Sequence, residues 1–161
     1  MTRELPLSLP LVHIRPLQLA DLPRVMELER LGYPNPWTEA VFQDCFRADY
    51  RAWALELDGV LLGYAVVAYL FDEAHLLNIC VAPSARGTGA GRRLLRHCIA
   101  ASLHDSMQTL LLEVRRSNQA AANLYETEGF KVIGVRKGYY PDGNGREDAL
   151  VMSLRLRGDH R

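Results

Sequence analysis

The feature that most limits what this chain can fold into is one stretch, Ile79-Cys80-Val81-Ala82-Pro83-Ser84-Ala85-Arg86-Gly87-Thr88-Gly89-Ala90-Gly91-Arg92. An apolar, β-prone segment opens it, a proline and three glycines break it, and helical periodicity follows from Gly89 to about Asp105. In that helix Leu95, Ile99 and Leu103 are expected on one side, with Leu94 and Cys98 beside them. Glycines let backbone approach a ligand closely, and a helix N-terminus turns unpaired N–H groups toward an anion. Arg86, Arg92, Arg93 and Arg96 add local positive charge. The stretch therefore reads as a loop for a phosphate-bearing cofactor.

The flanking sequence sets the architecture. A Pro-rich leader over 1–10, expected to be partly flexible, precedes a short strand at Val12–Arg15. Asp21-Leu22-Pro23 should open and cap a helix running to Gly32, and Thr38 should cap a second through Phe42, Cys45 and Phe46. Ala52–Leu57 and Val60–Leu70 flank Asp58-Gly59, a hairpin signal. Glu73–Val81 and Thr109–Val114 read as strands, and Asn118–Thr127 as an Ala-rich helix stopped by Gly129. Lys131–Tyr139 and Glu147–Leu156 would pair across a Pro-Asp-Gly-Asn-Gly loop. The order β-αα-βββ-α-β-α-ββ describes one mixed α/β or α+β domain covering 1–161.

Composition excludes several classes. Nineteen Lys+Arg cancel nineteen Asp+Glu in 161 residues, so the bulk basic charge of a nucleic-acid coat or membrane-surface protein is absent. The longest apolar run, Val60–Phe71, falls short of the ~20 residues of a membrane span. Pro6 and Pro10 interrupt any signal-peptide core. Cys45, Cys80 and Cys98 are odd in number and form no CxxC pair, which favours a reducing, cytoplasmic setting without disulfides. No metal-ligand spacing occurs, so no metal is expected.

Three glycine motifs compete for the loop. A Walker loop ends in Gly-Lys-Ser/Thr, whereas Gly91 is followed by Arg92-Arg93. A dinucleotide fingerprint would use Gly87-x-Gly89 with Glu113 on a ribose, but its third glycine position holds Arg92, and Ala82–Arg86 separate strand from glycines. The third pattern is Arg86-x-x-Gly89-x-Gly91, with a surface turn of chance glycines as the plain alternative. That third pattern resembles the pyrophosphate-binding motif of the GNAT superfamily of N-acetyltransferases.

Further stretches extend the resemblance from about Asp21 to Leu154. They are Pro36-Trp37-Thr38-Glu39, Asp72-Glu73-Ala74, Asn78-Ile79-Cys80-Val81 and Leu112-Glu113-Val114-Arg115-Arg116-Ser117-Asn118. Leu124-Tyr125-Glu126, Gly129-Phe130, Tyr139-Tyr140-Pro141 and Gly145-Arg146-Glu147-Asp148-Ala149 complete the set. Together they resemble the bacterial ribosomal-protein-alanine N-acetyltransferases, with Cys80 where alanine is frequent and about ten extra leading residues as the departures.

The resemblance implies a mostly antiparallel sheet of about seven strands flanked by four helices, and acetyl-coenzyme A as cosubstrate. It implies pyrophosphate contacts from Arg86, Gly87, Thr88, Gly89, Ala90, Gly91 and Arg92, and a thioester carbonyl received by backbone N–H groups around Ile79, Cys80 and Val81. Asn118 would touch the cofactor arm. Glu113 would be the general base and Tyr125 the general acid. Apart from the resemblance, Trp37 on the stiff Pro-Asn-Pro-Trp loop and Tyr139 with Tyr140 on the final hairpin are expected to wall the acceptor, with routine cross-strand packing of the two tyrosines as the alternative. The implied reaction is direct acetyl transfer, in a ternary complex, to a protein N-terminal α-amine. The acceptor implied is the N-terminal alanine of a small-subunit ribosomal protein, with no nucleic-acid or membrane partner. Acetylation of lysine or a small amine, or a non-catalytic acyl-coenzyme A module, remain open alternatives.

Elementary chemistry constrains these roles. A free carboxylate near ~4.3 must work uphill by about 3.5 units against a terminal ammonium, roughly 5 kcal/mol, and by about 8 kcal/mol against lysine. A tyrosine near ~10 protonating a thiolate near ~8.5 is uphill by roughly 2 kcal/mol. Glu113 could instead only pair with Arg115 or Arg136, and Tyr125 could be a core residue. An acetyl-cysteine on Cys80 with His75 as base is a further option, although a mid-strand cysteine is more often buried and inert.

Overall fold

The computed structural model describes residues 12–157, so the leader at 1–10 lies outside the described residues. The elements are β1 (Val12–Pro16), α1 (Leu22–Gly32), α2 (Glu39–Asp44), β2 (Tyr50–Leu57), β3 (Val60–Leu70), β4 (Glu73–Val81), α3 (Ala90–His104), β5 (Thr109–Arg115), α4 (Gln119–Thr127), β6 (Lys131–Asp142) and β7 (Gly145–Arg155). The strands form one seven-stranded sheet in the order β1-β2-β3-β4-β5-β7-β6. The β4–β5 pair is parallel, whereas β1–β2, β5–β7 and β6–β7 are antiparallel. Fold class and element order are those expected from the sequence.

The chain falls into two compact units, one holding residues up to Val67 with Asn78–His97, the other Ala68–Leu77 with Cys98 onward. In the first, Leu22, Val25, Leu28, Phe42 and Tyr64 are buried in one apolar cluster. The β2–β3 turn uses Asp58 and Gly59, both at positive φ (53° and 82°), the backbone that matches the right-handed strand twist. In the second unit β5 alternates: Leu110, Leu112 and Val114 are buried while Leu111, Glu113 and Arg115 lie on the more open face.

Several local expectations are corrected. Asp21 makes no side-chain cap on α1; its carboxylate accepts two hydrogen bonds from Arg15, at 2.8 and 2.9 Å, and one from the Gln18 N–H at 2.7 Å. The guanidinium outcompetes a capping amide because it binds both oxygens. Thr38 does cap α2, accepting from Val41 N–H at 3.3 Å. That helix ends at Asp44, before Phe46, because Cys45 and Phe46 close tighter i−3 bonds to Phe42 and Gln43. On α3 the buried stripe is Leu94, Leu95, Cys98 and Ser102, and Leu103 is exposed. The β6–β7 hairpin runs further than its Pro-Asp-Gly-Asn-Gly composition suggests: Asp142 pairs with Gly145, leaving a two-residue turn with Gly143 at φ 58°.

Candidate active site

In the first unit, β4 ends at Val81, a short 3-10 turn spans Pro83–Ala85, and α3 starts at Ala90. Gly87 and Gly89 hold φ 78° and 89°, a left-handed backbone that a side chain would strain. The Thr88 hydroxyl donates to the Ala85 carbonyl and fixes the turn between them. Arg93 N–H donates to the Gly89 carbonyl at 3.0 Å and closes the first turn of the helix. The amides of Ala90 and Gly91 precede that bond, so the helix itself offers them no acceptor. Two left-handed glycines followed by such amides fit a pyrophosphate, which needs several N–H donors and close backbone approach. Arg86 is exposed at the loop and Arg92 half-buried.

The same unit contains a buried carboxylate. Glu29 of α1 is 1% exposed and accepts from Tyr64 Oη at 2.6 Å, Asn78 Nδ2 at 3.0 Å and Trp37 N–H at 2.9 Å. No cation is among these partners; three neutral dipoles hold the group. The Tyr64 hydroxyl is pushed well above its usual range by burial and by its bond to Glu29. Tyr33 Oη donates to the Ile79 carbonyl, so the 33–37 loop is tied to β4 as well as to α1. Trp37 is half-buried, its ring 5.1 Å from that of Phe42. The Cys80 thiol points to the Leu28 carbonyl at 3.6 Å, and burial pushes its titration up. That is an inert thiol, not the carrier of an acyl group.

The second unit carries both residues expected to move protons. Glu113 lies on the open face of β5 with its side chain 12% exposed. Its Oε1 is 2.7 Å from His75 Nε2, and its Oε2 is 3.5 Å from Arg136 Nη1. Arg115, the other cation considered for it, binds Glu147 Oε1 and the Pro141 carbonyl instead, at 3.1 and 3.0 Å. Glu147 also accepts from Ser117 N–H at 2.7 Å, and these bonds hold it below the usual carboxylate range. This clamp fixes the turn that leads into α4, where Asn118 Oδ1 caps the helix by accepting from Ala121 N–H at 3.2 Å.

Tyr125 sits at the other end of α4. Gly129, at φ 103°, donates to the Glu126 carbonyl, and Phe130 N–H donates to the Tyr125 carbonyl, both at 3.0 Å. These two bonds make the Schellman closure that the glycine at this position predicts. The accompanying apolar contact is the Tyr125–Phe130 ring pair, 5.8 Å between centroids. The motif that ends the helix thus also fixes the tyrosine ring. Tyr125 is 6% exposed, and burial, with smaller contributions from Tyr140 and Cys98, pushes its hydroxyl up to about 12.

The β6–β7 hairpin supplies aromatic groups. A register shift between Arg136 and Tyr140 lets the consecutive Tyr139 and Tyr140 rings meet edge to face at 4.9 Å. Arg136 lies 4.3 Å over the Tyr139 ring and Arg115 lies 4.5 Å over the Tyr140 ring. Tyr139 is 40% exposed, the more available of the two.

Residues 22–130 match the Acetyltransferase (GNAT) family. The chain is 39% identical over 141 residues to the ribosomal protein bS18-alanine N-acetyltransferase of Escherichia coli, covering 88% of this chain and 95% of that protein. The chain belongs to the GNAT acetyltransferase family. A Haemophilus influenzae protein of the same description is 35% identical over 144 residues, with 89% and 98% covered. The crystal structure of the Escherichia coli ribosomal-protein-alanine N-acetyltransferase superposes with a TM-score of 0.87 at 37% identity, over 93% of this chain and 98% of that one.

As a GNAT chain, the molecule divides the expected site residues between its two units. Ile79, Cys80, Val81 and Arg86 to Arg92 lie with Trp37 in the first; Glu113, Asn118, Tyr125 and Tyr139 lie in the second. Sequence reading missed Glu29 and the His75–Glu113 bond. Glu29 had a signal: it falls seven residues after Leu22 on the same helical stripe as Val25 and Leu28, a core position occupied by a charge. Among the described residues, no group of His, Cys, Asp and Glu is arranged to hold a metal, and no helix is long and apolar enough to cross a membrane.

Proposed function

We propose that this chain, working as one catalytic domain, transfers acetyl from acetyl-coenzyme A to the α-amine of a protein N-terminus. The proposed acceptor is the N-terminal alanine of a small-subunit ribosomal protein. The observation that carries the acceptor is the 39% identity extending over 95% of the Escherichia coli bS18-alanine enzyme.

In this reading the amides of Gly87–Arg92 hold the pyrophosphate, with Arg86 adding charge, and the free amide nitrogen of Asn118 reaches the cofactor arm. Glu113 belongs to the base that removes the proton which the acceptor ammonium must lose before its lone pair can attack the thioester carbon. Backbone N–H groups around Ile79–Val81 receive the charge that develops on the carbonyl oxygen. As the carbon–sulfur bond breaks, Tyr125 protonates the departing sulfur. With its hydroxyl at about 12, complete transfer to a thiolate near ~8.5 is uphill by about 5 kcal/mol, so the proton moves in concert with bond breaking. Trp37 and Tyr139 flank the acceptor, and no metal takes part. The reaction is proposed to run in the cytoplasm.

The test is coenzyme A release with two versions of one peptide beginning with alanine. One has a free N-terminus and a blocked lysine, the other a blocked N-terminus and a free lysine. Turnover confined to the free terminus is expected. Turnover confined to lysine would replace the acceptor class, and binding of acetyl-coenzyme A without turnover on either would point to a binding module.

A further inference from the structure

Glu113 is not a solitary carboxylate. On the parallel β4–β5 ladder His75 pairs with Leu111, so Glu113 lies two residues further along and, by strand alternation, on the same face. The imidazole Nε2 meets Glu113 Oε1 at 2.7 Å, and Arg136 from β6 approaches Oε2 at 3.5 Å. Both carboxylate oxygens already face a donor. With Glu113 ionised the carboxylate only accepts, which puts the hydrogen of this bond on Nε2 and, in a neutral ring, the lone pair on Nδ1. The His75 side chain is 35% exposed, so its ring has access to water. Among the described residues, Tyr140 of β6 also faces Glu113, and Arg115 of β5 is engaged by Glu147.

From this geometry we infer that the proton acceptor for the substrate amine is the His75–Glu113 pair, with the proton held on the imidazole and Glu113 serving as its counter-ion. The inference rests on the reading of Glu113 as part of the base and changes where the proton goes. The ammonium R–NH3+ loses one proton and becomes R–NH2, whose lone pair forms the new bond to the acetyl carbon. That proton passes, directly or through one water, to His75 Nδ1, while Nε2–H stays bonded to Glu113. The imidazolium is neutralised by the adjacent carboxylate and then returns the proton to solvent.

The matching of acidities favours this route. A free carboxylate takes a proton from a terminal ammonium with an equilibrium disadvantage of roughly 3,000-fold, and a free imidazole with one of about 20-fold. Against a lysine ammonium even the imidazole is disfavoured by roughly 10⁴-fold. The pair therefore also favours α-amines over lysines.

The experiment uses the full chain, the alanine peptide with blocked lysine, and pH profiles of kcat/KM for wild type, His75→Gln and Glu113→Gln. Glutamine keeps an N–H donor toward Glu113 but cannot hold the proton. The wild type should show an acid limb set by protonation of the pair. In His75→Gln the profile should lose or displace that limb and kcat/KM at neutral pH should fall about 10²-fold, with acetyl-coenzyme A affinity unchanged. Ring-nitrogen NMR of the wild type, independent of any variant's folding, should show neutral His75 as the Nε2–H tautomer, and Glu113→Gln should perturb that tautomer. A His75→Gln profile that superimposes on wild type while Glu113→Gln is crippled would overturn the inference and leave Glu113 as sole base. Wild-type activity in both variants would overturn the Glu113 reading itself. A wild-type Nδ1–H tautomer would also overturn the inference.

Discussion

Two glutamates place the two units of this molecule in contrast. Glu29 is 1% exposed and receives three hydrogen bonds from neutral donors: a backbone amide, a phenol and a carboxamide. Glu113, with its side chain 12% exposed, faces an imidazole and a guanidinium whose own side chains are 35% and 53% exposed. The partners of Glu29 are fixed dipoles, and through them it ties the 33–37 loop, α1 and β4 together. A partner that titrates and reaches water can take a proton and pass it on. Burial alone would mark Glu29 as the unusual group; the chemistry of the partners singles out Glu113.

The two buried tyrosines repeat the contrast. Tyr64 spends its hydroxyl on Glu29 at 2.6 Å, whereas among the described residues no hydrogen bond engages the Tyr125 hydroxyl. The first phenol completes a core network. The second is packed by its ring against Phe130, and in the proposed reaction its proton goes to the departing sulfur.

The contrast predicts which variants lose activity and which lose stability. The largest effect belongs to Glu113→Gln, which should lower kcat/KM by about 10²–10⁴-fold with a melting temperature close to wild type. Tyr125→Phe should follow at about 10²-fold, again with the fold intact. Because burial raises that hydroxyl to about 12, it remains a proton donor throughout the neutral and mildly basic range. The kcat profile should therefore show no decline between pH 8 and about 10 that Tyr125→Phe abolishes; a decline of that kind would move the acid role to a phenol of ordinary acidity.

Glu29→Gln should do the reverse. Its amide must set an N–H against one of three donors, which costs about 1–3 kcal/mol of stability by denaturant titration while turnover at saturating peptide is retained. A Glu29→Gln protein of wild-type stability but without turnover would break the comparison. The smallest effect concerns a third carboxylate, Asp21, which bidentate bonding to Arg15 holds below its ordinary range. Its stabilisation is complete above the titration of an unfolded aspartate and is lost as pH falls through the lower folded value. Asp21→Asn should therefore cost about 1 kcal/mol at pH 7, and the gap from wild type should close in strong acid.

Legibility in the sequence followed the range of the interaction. The Asp58-Gly59 turn, the Thr38 cap and the Gly129 closure were readable because each depends on residues within a few positions of each other. On α3 the buried Leu94, Leu95 and Cys98 were readable and only the Leu103 end was misplaced, because Leu103 fits the periodicity as well as Cys98 does and only the surfaces it meets distinguish them. Asp21 was misjudged because its preferred partner, Arg15, belongs to the preceding strand.

The proposed proton-transfer roles of Glu113 and Tyr125 came from the family resemblance, whereas the order of elements and the glycine loop at the head of α3 were determined by the sequence itself. These are matters of local conformation and intrinsic chemistry, which neighbouring residues carry with them. Only the tertiary structure decided which groups surround each carboxylate. The β4–β5 register brings His75 to Glu113 across 38 positions, and the packing of α1 brings Asn78 to Glu29 across 49. An ionisable side chain takes its role from the groups that solvate it, and in a folded sheet those groups come from distant parts of the chain.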